Sequence, residues 1–222
     1  MYYKNWPKLL HKGLILSVFG VFALFFSGCF KEATKVGELY FNDFEDFSMK
    51  NVEVFGWSNG IFGKKSAVNV TDYTGNKVLG RFNNTRVDVV IEKLPKHQTI
   101  CIQFDLYLHD NWRNDVWRMA MDGSDKLVTG FSTDPTRWQS YPNWIGNGSP
   151  LNPPGANAFS TNLPGACRFI NNPKGTFHYK MEFTEYHSNE KLKIDMSDAG
   201  EFFNLNCDRS WSIDNLKIYT IN

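Results

Sequence analysis

Residues 100–109 alternate without a break. Ile100, Ile102, Phe104, Leu106 and Leu108 fall on one side; Cys101, Gln103, Asp105, Tyr107 and His109 fall on the other. A helix, repeating about every 3.6 residues, cannot gather those five apolar side chains on one face, whereas a strand does so by construction. Pro95 stands before the run and the polar stretch HDNWRND closes it, both of which suit strand ends. A strand this long predicts a central position in a two-sheet sandwich.

The rest of the chain follows the same grammar. Residues 37–47 open the fold as a first strand, followed by Trp57 and a turn in GIFGKK. Residues 66–70 and 77–82 flank the turn Thr74-Gly75-Asn76, and residues 86–93 put Val87, Val89 and Ile91 inside. Residues 116–121 end at Asp122-Gly123, a good turn pair, and residues 127–131 add a short strand. Residues 176–186 alternate through Phe177, Tyr179, Met181 and Phe183. A turn at Ser188-Asn189-Glu190 then leads to residues 191–196, with Leu192, Ile194 and Met196 inward, which predicts a hairpin. Residues 211–219 make the last strand. No helical period appears after Cys29. About nine or ten short strands separated by turn residues predict an all-β, antiparallel β-sandwich of the jelly-roll kind. Between Ser132 and Gly175 the pattern is lost among seven prolines and many Asn and Gly. Loops of this length in a compact domain are usually functional or mobile.

The first residues are not part of this pattern. Lys4, Lys8 and Lys12 precede an apolar run at residues 13–26, too short for an ordinary membrane span and suited to a secretory leader. Phe26-Ser27-Gly28-Cys29 resembles the lipobox of bacterial lipoproteins, with Phe26 where Leu is usual. The resemblance implies cleavage behind Gly28 and acylation of Cys29; a plain signal peptide and an uncleaved anchor are the alternatives. The expected organisation is a lipoprotein signal peptide at 1–28, a tether at 29–36 and the β-sandwich at 37–222. The location implied is the bacterial cell envelope, periplasmic or at the cell surface, with the membrane reached through the lipid.

The chain carries 24 Lys and Arg against 23 Asp and Glu, so removing the three leader lysines leaves a net charge of −2. Such a balance gives no reason to expect nucleic acid as a partner. With Cys29 acylated, Cys101, Cys167 and Cys207 remain in an oxidising compartment, and three pairings are open to them. Cys167 follows a Pro-Gly turn and Cys207 precedes the last strand, so that pairing would staple the long loop to the sheet.

Several pieces add up to a resemblance. Phe44-Glu45 followed by Trp57 resembles the opening of carbohydrate-binding jelly-roll modules, and Trp211-Ser212-Ile213-Asp214-Asn215-Leu216 resembles their closing strand. Leu79-Gly80-Arg81-Phe82, Leu94-Pro95-Lys96-His97 and Phe104-Asp105-Leu106-Tyr107 with Asp110 and Trp112 resemble motifs of a group of secreted bacterial domains. The resemblance implies a lectin-like sandwich, concanavalin-like or galactose-binding-like. It also implies a structural calcium ion held by Glu45 and Asp214, with Asp43 and Asn215 nearby. Arg113 and Arg209 depart from the pattern, since the secreted domains tend to carry acids there. A rival cation site at Asp110, Asn114 and Asp115 lacks the acid spacing and glycine of an EF-hand loop.

Two sets of residues suggest ligand binding. Trp138, Tyr141 and Trp144 lie close together in the long polar loop, where they either pin the loop to the sandwich or offer flat faces on which sugar rings stack. Asp105, Tyr107 and His109, with Gln103, lie on the second face of the central strand, which is either a solvated outer surface with cross-strand pairs or a groove for a polar ligand. Signals for catalysis are weak. Glu182 and Glu185, three apart on a strand, face opposite sides. His97, His109, His178 and His187 have no zinc-ligand spacing, and no nucleophile elbow occurs. The expectation is a lipid-anchored, non-catalytic binding module, its partner a glycan. An adhesive module for protein partners and a small glycosidase or lyase are the alternatives.

Overall fold

The computed structural model describes residues 35–221, apart from 59–60, 65–68, 147, 149–150 and 200–206; of 35, 36, 57, 58, 61, 62, 64 and 199 it describes the backbone alone. The expected signal peptide, Cys29 and nearly all of the tether therefore lie outside the described residues, as does the side chain of Trp57.

Thirteen strands are described: β1 (Lys35–Asn42), β2 (Val52–Ser58), β3 (Ile61–Lys64), β4 (Val70–Tyr73), β5 (Asn76–Phe82), β6 (Thr85–Glu92), β7 (Thr99–Asp110), β8 (Arg113–Met121), β9 (Ser124–Ser132), β10 (Ser160–Leu163), β11 (Thr176–Tyr186), β12 (Lys191–Ala199) and β13 (Arg209–Ile221). They form two antiparallel sheets. One has the order β10-β11-β7-β13-β5-β4, with β1 also on β13; the other runs β3-β2-β6-β12-β8-β9. The chain is an all-β sandwich, and β7 is central as its alternation predicts.

The inward residues of β7 are all buried, and they meet Val87, Val89, Trp117, Ile194 and Met196 of the six-stranded sheet in one core. Burying each such side chain stabilises the fold by about 1.5–3 kcal/mol. Trp117 and Trp211 meet edge to face at 6.1 Å across the two sheets. Around them sits a buried polar group. Asp198 accepts from Asn84 N–H (2.8 Å), Thr85 N–H (3.0 Å) and Trp211 Nε1–H (2.8 Å). Arg209, 1% exposed, lies 2.6 Å from Asp115 and 3.4 Å from Asp198, with its guanidinium over Trp112. Arg209 is thus a counter-ion inside the sandwich.

Four details differ from the sequence reading. The first strand ends at Asn42, and Phe44 turns inward on left-handed backbone (φ 58°) to become fully buried. Residues 52–58, given no element by the sequence, form β2, and residues 61–64, within the stretch GIFGKK expected to turn, form β3 and pair with it. A short strand, β10, lies within the proline-rich stretch and pairs with β11. Most telling, β11 and β12 do not form a hairpin: β11 pairs with β7 and β12 with β6 and β8, in different sheets. The connecting loop is held to the β6–β7 loop by His187 N–H to Gln98 O (2.9 Å) and Leu94 N–H to Glu190 O (2.9 Å), which carries the chain across the sandwich. Period-two alternation fixes a strand's faces and says nothing of its partner.

Candidate functional site

The seven-stranded sheet has an outer face with two different halves. Over the half bearing Tyr107 and His109, residues 163–175 form a lid. Tyr73 Oη–H donates to Pro164 O (2.7 Å), Arg81 donates to Ala166 O (2.9 Å), and the Asp110 carboxylate receives the N–H groups of Cys167 (3.2 Å) and Phe169 (2.9 Å). A disulfide joins Cys167 to Cys207, with a Cα–Cα separation of 5.0 Å, and ties the lid to the turn before β13; Cys101 is a free, buried thiol. Beneath the lid Tyr73, Val78 and Tyr107 make a second small core with Leu163 and Ala166.

Tyr107 and His109 are therefore buried beneath the lid, and neither lines the groove on the other half of this face. His109 is fully enclosed, with Nδ1 3.0 Å from Thr176 Oγ1 and Nε2 3.0 Å from Ser212 Oγ. Burial, with Arg81 adding repulsion, holds its ring down to about 3. Burial likewise pushes the Tyr107 phenol up. The sequence could not show this, because the covering residues come from a stretch without periodicity.

The other half is open. A groove of about 460 Å³ runs over it, lined by Phe41, Gln103, Asp105, Lys180, Glu182, Asn215 and Lys217, with Phe104 and Met181 below. Strand register explains the gathering. Glu182 pairs with Gln103, Gln103 with Lys217, and Lys217 with Phe41, one row across β11, β7, β13 and β1. At about 4.8 Å between strands the row is about 14 Å long. Gln103 Nε2–H donates to Glu182 (2.8 Å) and to the Tyr219 hydroxyl (3.0 Å). Asp105 receives His178 Nε2–H and Asn215 Nδ2–H, each at 2.8 Å. Burial works to raise the Asp105 carboxyl, but these hydrogen bonds outweigh it and hold the group below its usual range. Two exposed rings lie under ammonium groups of the lining: Lys217 is 5.2 Å from the centre of Phe41, and Lys180 is 4.0 Å from that of Phe159, which is not itself part of the lining. Sequence reading found Gln103 and Asp105. It missed Lys180, Glu182, Lys217 and Phe41, although the alternation of β11 already set Lys180 and Glu182 on its outer face.

The aromatic trio divides. Residues 138–145 lie along the free edge of β9: Ser140 and Tyr141 N–H donate to Gly130 O (3.0 Å each) and Ile145 N–H to Val128 O (2.9 Å). Trp138 and Trp144 keep 57% and 43% of their surface. Tyr141 instead packs on Phe131 (4.7 Å) and Tyr179 (5.3 Å), pinning the loop to the core.

The carboxylates expected around calcium fall near one another. Asp214, 2% exposed, is pushed up to about 6 by burial and by the charges of Asp105, Glu45 and Asp43. Glu45 receives Lys77 N–H at 2.7 Å. Among the described residues no group of three or more His, Cys, Asp and Glu side chains is close enough to hold an ion. Oxygen ligands beyond Glu45 and Asp214 would have to be carbonyls, amides or water, a set that calcium accepts. The rival residues are committed elsewhere: Asp110 to the lid, Asn114 Oδ1 to Ser140 N–H (2.9 Å) and Asp115 to Arg209.

No protein-family model matches the chain, and no curated protein matches its sequence. Solved structures similar to it include a family 35 carbohydrate-binding module from Clostridium thermocellum, at 12% identity over 77% of this chain and 88% of that one, with a TM-score of 0.34. A second is CBM28, a carbohydrate-binding module specific for non-crystalline cellulose, at 13% identity over 86% and 96%, with a TM-score of 0.39. A third is dimeric latent PorU from Porphyromonas gingivalis, at 9% identity over 86% and 14%, with a TM-score of 0.36. Scores this low carry no argument about ligand or activity.

Proposed function

We propose that the protein is an extracytoplasmic, lipid-anchored module that binds a glycan without catalysis. The observation that carries this reading is the open groove on the seven-stranded sheet. Its lining of amide, carboxylate and ammonium groups, with the exposed rings of Phe41 and Phe159 against its lysines, matches the hydroxyls and flat faces of a sugar chain. Trp138 and Trp144 add a second exposed aromatic surface at the β9 edge. The groove carboxylates are engaged, Glu182 by Gln103 and Asp105 by His178 and Asn215, which suits ligand binding better than acid–base work. The anchor in this reading is an acylated Cys29, a few residues before β1 begins at Lys35. In the same reading calcium sits between Glu45 and Asp214, where the crowding of carboxylates around a buried Asp214 favours a cation.

Detergent-solubilised full-length protein on a glycan array tests the function. Binding to a defined glycan set, reduced about tenfold or more by Gln103→Ala, is the expected result. An array without hits, or release of shortened products from the bound glycans, would overturn it. Mass spectrometry of the membrane fraction tests the anchor: a lipid-modified N-terminus at Cys29 is expected, and an unmodified chain in the medium would refute it.

A further inference from the structure

At the end of the sandwich where β7 begins, three loops meet around two buried histidines. His97 comes from the β6–β7 loop, His187 from the β11–β12 crossover and Asp122 from the β8–β9 turn. Each ring is only 4% exposed. His97 Nδ1 lies 2.6 Å from Pro95 O, and His97 Nε2 lies 2.7 Å from His187 Nδ1. His187 Nε2 lies 3.0 Å from Asp122 Oδ2, whose other oxygen receives Lys193 N–H at 2.8 Å. The chain runs unbroken from a carbonyl to a carboxylate through both rings.

Hydrogens along this chain can be counted. A carbonyl oxygen only accepts, so His97 Nδ1 must carry a hydrogen. In a neutral ring His97 Nε2 then accepts, and His187 Nδ1 must supply the next hydrogen. If His187 is also neutral, its Nε2 is a bare acceptor facing a carboxylate, and the last contact is repulsive. All three contacts are hydrogen bonds only with one further proton, held on a ring or on Asp122.

We propose that His97, His187 and Asp122 form a proton-dependent latch that closes this end of the sandwich while the three share one proton more than two neutral imidazoles and a carboxylate hold. Removing that proton turns the His187–Asp122 contact from attraction to repulsion and loosens the two loops and the turn. The charged side chains borne by the packed segments are Lys93 and Lys96 on the β6–β7 loop, Glu190 on the crossover, and Lys191, paired with Glu92 at 3.1 Å, and Lys193 on β12. Lys193 is committed to Asp88 at 2.8 Å, and Glu190 contributes its carbonyl. Asp122 is the carboxylate on the pair. The latch is separate from the groove, but it fixes the end of β11, which carries Lys180 and Glu182.

Amide hydrogen exchange on the solubilised full-length chain tests the latch, with rates corrected for intrinsic base catalysis. The N–H groups of Leu94, Asp122, His187 and Lys193 bridge the three segments. Their protection should fall by about tenfold or more as pH rises from about 5.5 to about 8.5, as losing a charge-assisted hydrogen bond requires, while amides in the middle of β7 and β13 keep theirs. Asp122→Asn should remove the pH dependence, because an amide N–H can donate to His187 Nε2 with both rings neutral. Constant protection in the wild type, or an Asp122→Asn profile like the wild type's, would overturn the proposal. Should that variant fail to fold, ring-nitrogen NMR of the wild type decides: two neutral rings beside an ionised Asp122, at a pH where the four amides stay protected, contradict the latch.

Discussion

Single buried polar residues carry much of the specificity of this sandwich. Asp198 joins β12, the β5–β6 turn and β13 through one carboxylate, and it is the partner of a buried arginine. Removing one member of such a group strands the others without water. Asp198→Ala is therefore expected to cost about 3–5 kcal/mol in urea unfolding, and a cost below about 1 kcal/mol would show the network to be decorative. His109 makes a different demand. Its ring is held down to about 3 in the fold, whereas an unfolded histidine titrates near 6.5. Between those values the unfolded chain binds the proton that the folded chain refuses, so His109 opposes folding increasingly as pH falls through that window and not above it. From pH 6.5 to pH 4.5 the wild type should lose up to about 2.7 kcal/mol through this residue, at about 1.36 kcal/mol per pH unit. Comparing the wild type with His109→Gln by urea midpoints at both pH values checks this, since the variant should lack that component. Equal pH dependence in the two proteins would show that the ring is not held neutral.

The long stretch between β9 and β11 divides into segments with separate tasks. Its first part covers the edge of β9 through Tyr141 and leaves Trp138 and Trp144 outside. Trp138→Ala and Trp144→Ala should weaken glycan binding and leave the melting temperature within a degree or two, whereas Tyr141→Ala should lower it by several degrees. A large fall in all three would make the indoles part of the core and remove them from the binding surface. Its last part is the lid, closed by the disulfide across a separation of 40 residues. Replacing both Cys167 and Cys207 with Ser should cost about 2–4 kcal/mol, measured by the same urea titration. Elements of this kind mark the limit of what was legible in the sequence. Strands with one dry face announced themselves: β6, β7, β8, β11 and β13 stand close to where alternation put them. Strand β3 is hidden because the glycines of GIFGKK read as a turn, and β2 because Gly56 interrupts its alternation. The misassigned partner of β12 has a different origin, because the loop contacts that send it across the sandwich come from residues 90 positions earlier, as in His97 and His187. At the site the same rule holds. Gln103 and Asp105 were readable from one strand, but Lys180, Lys217 and Phe41 join them only through the registers of three further strands. Nothing local tells that a loop covers Tyr107 and His109.

At the scale of the molecule, the two sheets have different duties. The six-stranded sheet supplies the second half of the core; the seven-stranded sheet bears the lid on one part of its outer face and the groove on the other. A bound calcium ion would stabilise the folded state by mass action. Adding calcium after chelation should thus raise the melting temperature of the wild type and not that of Asp214→Ala; no change in the wild type, with no metal in the purified protein, would end that part of the reading. In the proposed reading ligand binds in the groove, and amide chemical-shift mapping with a glycan selected on the array checks this. Shifts should concentrate on Phe41, Gln103, Asp105, Lys180, Glu182, Asn215 and Lys217, with weaker changes at Trp138 and Trp144. Saturable binding that leaves those seven residues unmoved would contradict the claim.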